Sequence, residues 1–228
     1  ILYKGVGLRL NNISMKAYVI TIMENPESVK AAERCIKSAA KYGITVEKFP
    51  AITPDKDPLW YARKKNIPVK GFEETYSRFE NCVSAFLSHY SLWEKCVKDN
   101  TSYMILEHDA YFVDQVNVFM QYDKAINIGQ PSYGKAQRPM KLGVNPLTSK
   151  QYFPGAHAYM IKPAGAKAFI ERAHVDAGPT DVFLHKGRFP WLEEYYPWPV
   201  QARDTFTTIQ KIEGCWSKHK FNNEYKIL

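Results

Sequence analysis

The chain has 228 residues, 45% hydrophobic and 14% aromatic, which suits one generous globular domain and is not the balance of a disordered chain. Its longest apolar runs fall well short of the roughly 18 residues that a membrane span needs, so no membrane span is expected. The net charge of +8 points to phosphorylated or polyanionic partners without separating nucleic acid from a nucleotide substrate or an acidic glycan.

Cys35, Cys82, Cys96 and Cys215 are widely spaced and form no CxxC pair, so they read as free thiols of a reducing compartment rather than a zinc site or a disulfide framework. With no secretory signal visible near Ile1, a cytoplasmic protein is expected. Met15 directly precedes the first apolar strand, which makes residues 1–14 an N-terminal extension, 15–209 the folded domain and 210–228 a basic C-terminal tail.

In chain order, "KAYVITI" (16–22) is β-branched and apolar, a buried strand. "NPESVKAAERCIKSAAKYG" reads as a helix with Pro26 in its first turn and Gly43 closing it. "ITVEKFPAI" (44–52) is the next strand, and this β-α-β opening predicts parallel pairing. A polar, proline-punctuated loop follows over 53–71. From Arg78 to Lys98 the pattern is helical, with Phe79, Val83, Phe86, Tyr90, Trp93 and Val97 on one stripe.

The strand "YMILE" comes next, then strands at "AINIGQ" (125–130) and "YFPGAHAYMI" (152–161), a helix at "PAGAKAFIERA" (163–173), and a short helix begun by Thr180 as N-cap. Strand and helix alternation predicts an α/β fold: a mostly parallel central sheet flanked by helices, with chemistry at the C-terminal strand ends.

The stretch "YMILEHDAYF" (103–112) carries the sharpest signal. In an extended segment Glu107 and Asp109 share a face while His108 points away. Two adjacent carboxylates repel unless a cation or a shared proton lies between them. Hard Mg²⁺ or Mn²⁺ suits the pair and commonly bridges carboxylates to substrate phosphates.

The segment "ENCVSAFLSHYSLWEKCVKDNTSYMILEHDAYF" resembles the signature of glycosyltransferase family 25, in which a GC-x-LSH-x-x-x-W helix precedes a strand ending in E-D-D. Ser88, His89 and Trp93 match the helix, and Glu107 and Asp109 match the acids. "YVITI", "FPAI", "INIG", "GAHAYMIKPAGAKAFI", "PTDVFL" and "YPWPVQARDTFTTI" follow in family order, covering about 16–209. The chain departs from the pattern at His108, in place of the middle acid, and at Asn81, in place of the glycine before Cys82.

The resemblance implies a GT-A type, Rossmann-like single domain. It also implies an inverting transferase moving a hexose from a nucleotide sugar, a UDP-sugar by expectation, with Mn²⁺ or Mg²⁺ as cofactor. Glu107 and Asp109 are then the metal and diphosphate residues, and His219 in the tail completes the metal shell by analogy with late histidines of other metal-dependent transferases. Thr21, Glu24, Asn25 and Ser28, at the C-terminal end of the first strand, are placed to meet base and ribose, with turn and capping roles explaining the last three equally well. Arg34 is a phosphate partner. His89 is either a substrate contact or a buried, hydrogen-bonded core histidine.

Inversion needs one base for the acceptor hydroxyl proton, and Asp181 is its candidate. His157, between small residues, is a candidate acceptor contact, with strand packing as its other explanation. The acceptor hydroxyl belongs to a glycan, a protein or DNA. A phage-type transferase acting on hydroxymethylated bases would use basic contacts such as Arg63, Lys64, Lys65, Lys218 and Lys220. A nonenzymatic nucleic-acid-binding module is the remaining class, and it leaves Glu107 and Asp109 unexplained.

Overall fold

The computed structural model describes residues 15–203, 205–217 and 224–228. Strand β1 (Lys16–Thr21) is buried along almost its whole length. Helix α1 (Pro26–Ala40) begins where Asn25 accepts hydrogen bonds from the backbone N–H groups of Glu27 and Ser28, satisfying donors that a helix start leaves free. It is left through Gly43, whose φ of +73° is the left-handed conformation that glycine tolerates. Strand β2 (Val46–Pro50) then pairs parallel to β1.

The expected loop over 53–71 is more ordered than its composition predicted. It holds a 3-10 turn (Pro54–Lys56), helix α2 (Pro58–Lys64) capped by the Asp57 carboxylate, and a second 3-10 turn (Lys70–Phe72). The prolines start these elements rather than excluding them, because proline suits a first helical turn. Helix α3 (Phe79–Asp99) buries Val83, Phe86, Tyr90 and Trp93 as its stripe predicted, while Val97 near its end is exposed.

The chain continues through β3 (Tyr103–Glu107), β4 (Ala110–Phe112), β5 (Ala125–Asn127), β6 (Gly143–Pro146) and β7 (Ala158–Ile161) with no helix between them. Then come α4 (Pro163–Ala173), α5 (Thr180–Phe183), β8 (Glu193–Tyr196), β9 (Val200–Ala202), β10 (Phe206–Thr207), α6 (Ile212–Trp216) and β11 (Lys226–Ile227). Thr180 is the first residue of α5 rather than its cap, and Pro179 precedes it with no side-chain cap bond.

The fold is mixed α/β, with a seven-stranded central sheet in the order β2-β1-β3-β7-β5-β8-β6. The sheet is mixed rather than mostly parallel: β1/β2, β1/β3 and β5/β8 are parallel, whereas β3/β7, β5/β7 and β6/β8 are antiparallel. Parallel neighbours need a long crossover, usually helical. The segment from β3 to β7 supplies no helix, and β7 enters between β3 and β5 in the opposite direction.

Alternation along β3 divides the core. Tyr103 and Ile105 face the α3 and α4 side, and Met104 and Leu106 face the α1 side. Two further strand pairs, β4/β9 and β10/β11, bring the chain's late segments to the end of the sheet where β1 and β3 terminate. Among the described residues, no helix is long and apolar enough to cross a membrane.

Candidate active site

A cavity of about 750 Å³ opens at this end of the sheet. Its wall takes Ile20 and Ile22 from the end of β1, Glu107, His108 and Asp109 from the end of β3, His157 from the approach to β7, and Asp181 from α5. The strand ends and the late segments thus converge on one space.

Glu107 is held from behind. His89 Nε2 lies 3.1 Å from Glu107 Oε1, His89 Nδ1 lies 3.0 Å from the Tyr159 hydroxyl, and Trp93 Nε1 donates to that hydroxyl at 2.7 Å. His89 is buried, and desolvation pushes its pKa down to about 3, so the imidazole is neutral. It lines the cavity, but both ring nitrogens are committed to protein partners, in keeping with the buried, hydrogen-bonded reading.

Asp109 also lines the cavity. Its backbone carbonyl accepts from the Arg203 N–H at 2.8 Å, and its Oδ1 is buried with no hydrogen-bond partner among the described residues. His108 does not point away from the acids. The strand ends at Glu107 and residues 108–109 form a turn, so strand alternation stops applying. His108 Nδ1 meets Ser28 Oγ at 2.8 Å, its ring packs against Phe206, and it shares the cavity wall.

The residues near β1 and α1 are placed differently from expectation. Thr21 is fully buried, its hydroxyl donating to the Val19 carbonyl at 3.0 Å. The Asn25 side chain is spent on capping α1, and the exposed Glu24 faces Lys56 at 3.6 Å. Arg34 donates to the Arg203 carbonyl, and its Nε is buried with no hydrogen-bond partner among the described residues. None of these four is in the cavity wall. Ser28 Oγ accepts from the Ile22 N–H at 2.9 Å and supports His108. His219, Lys218 and Lys220 lie outside the described residues.

Asp181 is half-buried in the first turn of α5 and faces the cavity. Its Oδ1 accepts from the Val182 N–H at 2.8 Å and its Oδ2 from the Tyr133 hydroxyl. Desolvation raises its pKa above the ordinary carboxylate value, although the Tyr133 bond works in the opposite direction. A carboxylate of raised pKa is a stronger proton acceptor once ionised. Tyr133 gave no signal in the sequence, because it sits in a loop after β5 with no periodicity. The hydrogen-bonding of Trp93 and Tyr159 was hidden inside apolar runs.

Among the described residues, no group of three or more His, Cys, Asp or Glu is gathered to hold a metal ion. At the β3 end of the cavity stand the carboxylates of Glu107 and Asp109, the latter with a buried oxygen that has no hydrogen-bond partner among the described residues. That donor set fits a hard divalent cation whose shell is completed by phosphate oxygens and water, not a closed protein cage.

Among curated proteins, no sequence matches this chain. The family model described as glycosyltransferase family 25 (LPS biosynthesis protein) matches residues 15–137, more than half the chain. This span includes α3, the Glu107 and Asp109 motif and Tyr133, and it ends before His157 and Asp181. On this match the chain belongs to glycosyltransferase family 25, a family of enzymes rather than of nonenzymatic nucleic-acid-binding modules.

Proposed function

We propose that the protein is an inverting transferase that moves a hexose from a nucleotide sugar, UDP-linked by expectation, to an acceptor hydroxyl with the help of Mn²⁺ or Mg²⁺. The observation that carries this reading is that one cavity is lined both by the Glu107 and Asp109 pair and by the half-buried carboxylate of Asp181. A leaving diphosphate and an accepting base need separate carboxylate chemistry within one bound substrate's reach.

In this reading Glu107 and Asp109 hold the divalent cation, which supplies charge neutralisation to the departing diphosphate. His89 fixes the Glu107 carboxylate through its Nε2–H. Asp181 takes the proton of the acceptor hydroxyl as that oxygen attacks the anomeric carbon from the face opposite the leaving group. The raised pKa of Asp181 supports this role, because ordinary aspartates are weak bases. The expected test screens nucleotide-sugar hydrolysis with and without Mn²⁺. Metal-dependent release of UDP from one UDP-hexose supports the reading, and no release from any nucleotide sugar sinks it.

One observation bears on the acceptor. Residues 124–170 contain Lys135, Arg138, Lys141 and Lys150 and no Asp or Glu, and Lys150 Nζ sits 4.5 Å from the ring centroid of Tyr133, the partner of Asp181. A cationic segment beside the candidate base favours an anionic acceptor. Hydroxymethylated DNA is one member of that class. Its binding would weaken steeply with salt as condensed counterions are released, and a sugar-sized mass gain on the modified base alone would identify it.

A further inference from the structure

His157 is only 2% exposed, yet neither ring nitrogen has a hydrogen-bond partner among the described residues. Burying polar atoms without partners forfeits their hydrogen bonds to water, and an unsatisfied group in a native fold calls for a reason. Simple strand packing would be served better by an apolar residue.

The surroundings are shaped around the ring. A Cβ on Gly129 would lie 2.5 Å from His157 Nε2, and a Cβ on Gly155 would lie 3.0 Å from Nδ1 and 2.6 Å from Ser132 Oγ. Any side chain at either glycine would collide with the imidazole or its cover. Gly129 is itself pinned by Asn127, which donates to its carbonyl at 2.8 Å and accepts from its N–H at 3.1 Å. Ser132, exposed on its loop, and His157 both line the cavity.

Position narrows the ligand. The Glu107 N–H donates to the His157 carbonyl at 2.9 Å, extending the antiparallel β3/β7 ladder by one step. Opposite residues in such a ladder project from the same face, so His157 stands beside Glu107. On its other side Gly129 leads, four residues on, to Tyr133 and through it to Asp181. His157 therefore stands beside Glu107 on the wall of the cavity that Tyr133 and Asp181 also line. The group that must occupy that space during transfer is the sugar itself.

We propose that His157, in its slot between Gly129 and Gly155, is the residue that reads the hydroxyls of the transferred hexose. This rests on the nucleotide-sugar reading above. A neutral imidazole carries one N–H donor and one acceptor nitrogen, and a sugar hydroxyl satisfies either. Sites built to pair a substrate hydroxyl discriminate strongly against analogues that lack it.

The test compares binding of UDP alone, UDP-glucose and UDP-galactose, with Mn²⁺ present, to the wild type and to the His157→Phe, His157→Asn and Gly129→Ala variants. Thermal melting of each protein is measured alongside. UDP affinity is expected to stay within about two-fold in every variant. The better UDP-hexose is expected to bind about ten-fold more weakly to His157→Phe and Gly129→Ala, and His157→Asn to recover part of that loss. His157→Phe should melt no lower than wild type, because it removes unpaired nitrogens. Unchanged UDP-hexose affinity in His157→Phe, equal losses for UDP and UDP-hexose, or a lowered melting temperature with hexose discrimination intact would overturn the assignment in favour of a packing role. A wild type that binds neither UDP nor UDP-hexose overturns the donor reading and this one together. Wild-type binding with indifferent variants overturns this one alone.

Discussion

His89 Nε2 lies 3.1 Å from Glu107 Oε1, and the hydrogen between them belongs to the histidine. Trp93 Nε1 can only donate, so it gives its hydrogen to the Tyr159 oxygen. An ionised carboxylate can only accept, so the neutral His89 carries its hydrogen on Nε2 and its bare Nδ1 accepts from the Tyr159 hydroxyl. A chain of donors thus runs from the core to the cavity, and it acts by orientation rather than by charge. Residues that orient metal ligands typically matter 10–100-fold to affinity or activity. In His89→Leu, the Mn²⁺ concentration for half-maximal transfer is expected to rise by roughly that factor. An unaltered Mn²⁺ dependence would show that Glu107 does not serve the cation.

The same histidine imposes a pH dependence on stability. Its pKa is 6.5 in the ordinary state and about 3 in the fold, so the unfolded chain takes up its proton first as pH falls. Stability from this group is fully present above pH 6.5 and is lost as pH falls towards 3, at up to about 1.4 kcal/mol per pH unit. His185 is also depressed, by desolvation first and then by Arg188 and Lys186, and adds a loss of the same sign. Urea unfolding at a series of pH values from 7 to 4 should give a shallower slope in His89→Gln than in wild type. Parallel slopes would mean that His89 is not kept neutral.

Glu107→Gln and Asp109→Asn are each expected to abolish transfer while leaving the melting temperature within a few degrees of wild type. Under the proposed function each would remove charge that holds the cation, an effect worth several kcal/mol in a metal site. At Asp109 the substitution breaks no hydrogen bond of Oδ1, which has no partner among the described residues. Turnover within a few-fold of wild type in both variants would falsify the cation assignment.

Asp181→Asn should suppress transfer yet keep nucleotide-sugar binding, because a base on the acceptor side contributes in the transition state and little to donor affinity. Burial raises the Asp181 pKa and the Tyr133 bond lowers it. The acid limb of the turnover profile should therefore lie above 3.8, the ordinary aspartate value, and move higher still in Tyr133→Phe. A limb that stays in place in Tyr133→Phe would mean that the titrating group is not Asp181.

Several parts of this protein were legible in the sequence because local physics decided them. The β-branched run at 16–22, the proline and asparagine that start α1, and the stripe on α3 specify their elements through propensity, capping and periodicity. Glu107 and Asp109 stood out because two acids closing an apolar strand are chemically costly without a purpose. The direction of β7 was not legible, since an apolar strand looks the same whichever way it pairs and the intervening segment has no period to reveal its path. The turn at 108–109, which brings His108 into the cavity wall, is a one-residue decision that strand alternation cannot anticipate. Thr21, Asn25 and Arg34 offered plausible chemistry, but side-chain direction is set by packing, and packing turned each of them away from the cavity. Tyr133 reaches Asp181 across a sequence separation of 48, and His157, whose ring nitrogens have no hydrogen-bond partner among the described residues, is packed against Gly129 and Gly155. Local interactions wrote the elements and the acidic pair; contacts between residues far apart in the chain decided which side chains share one cavity.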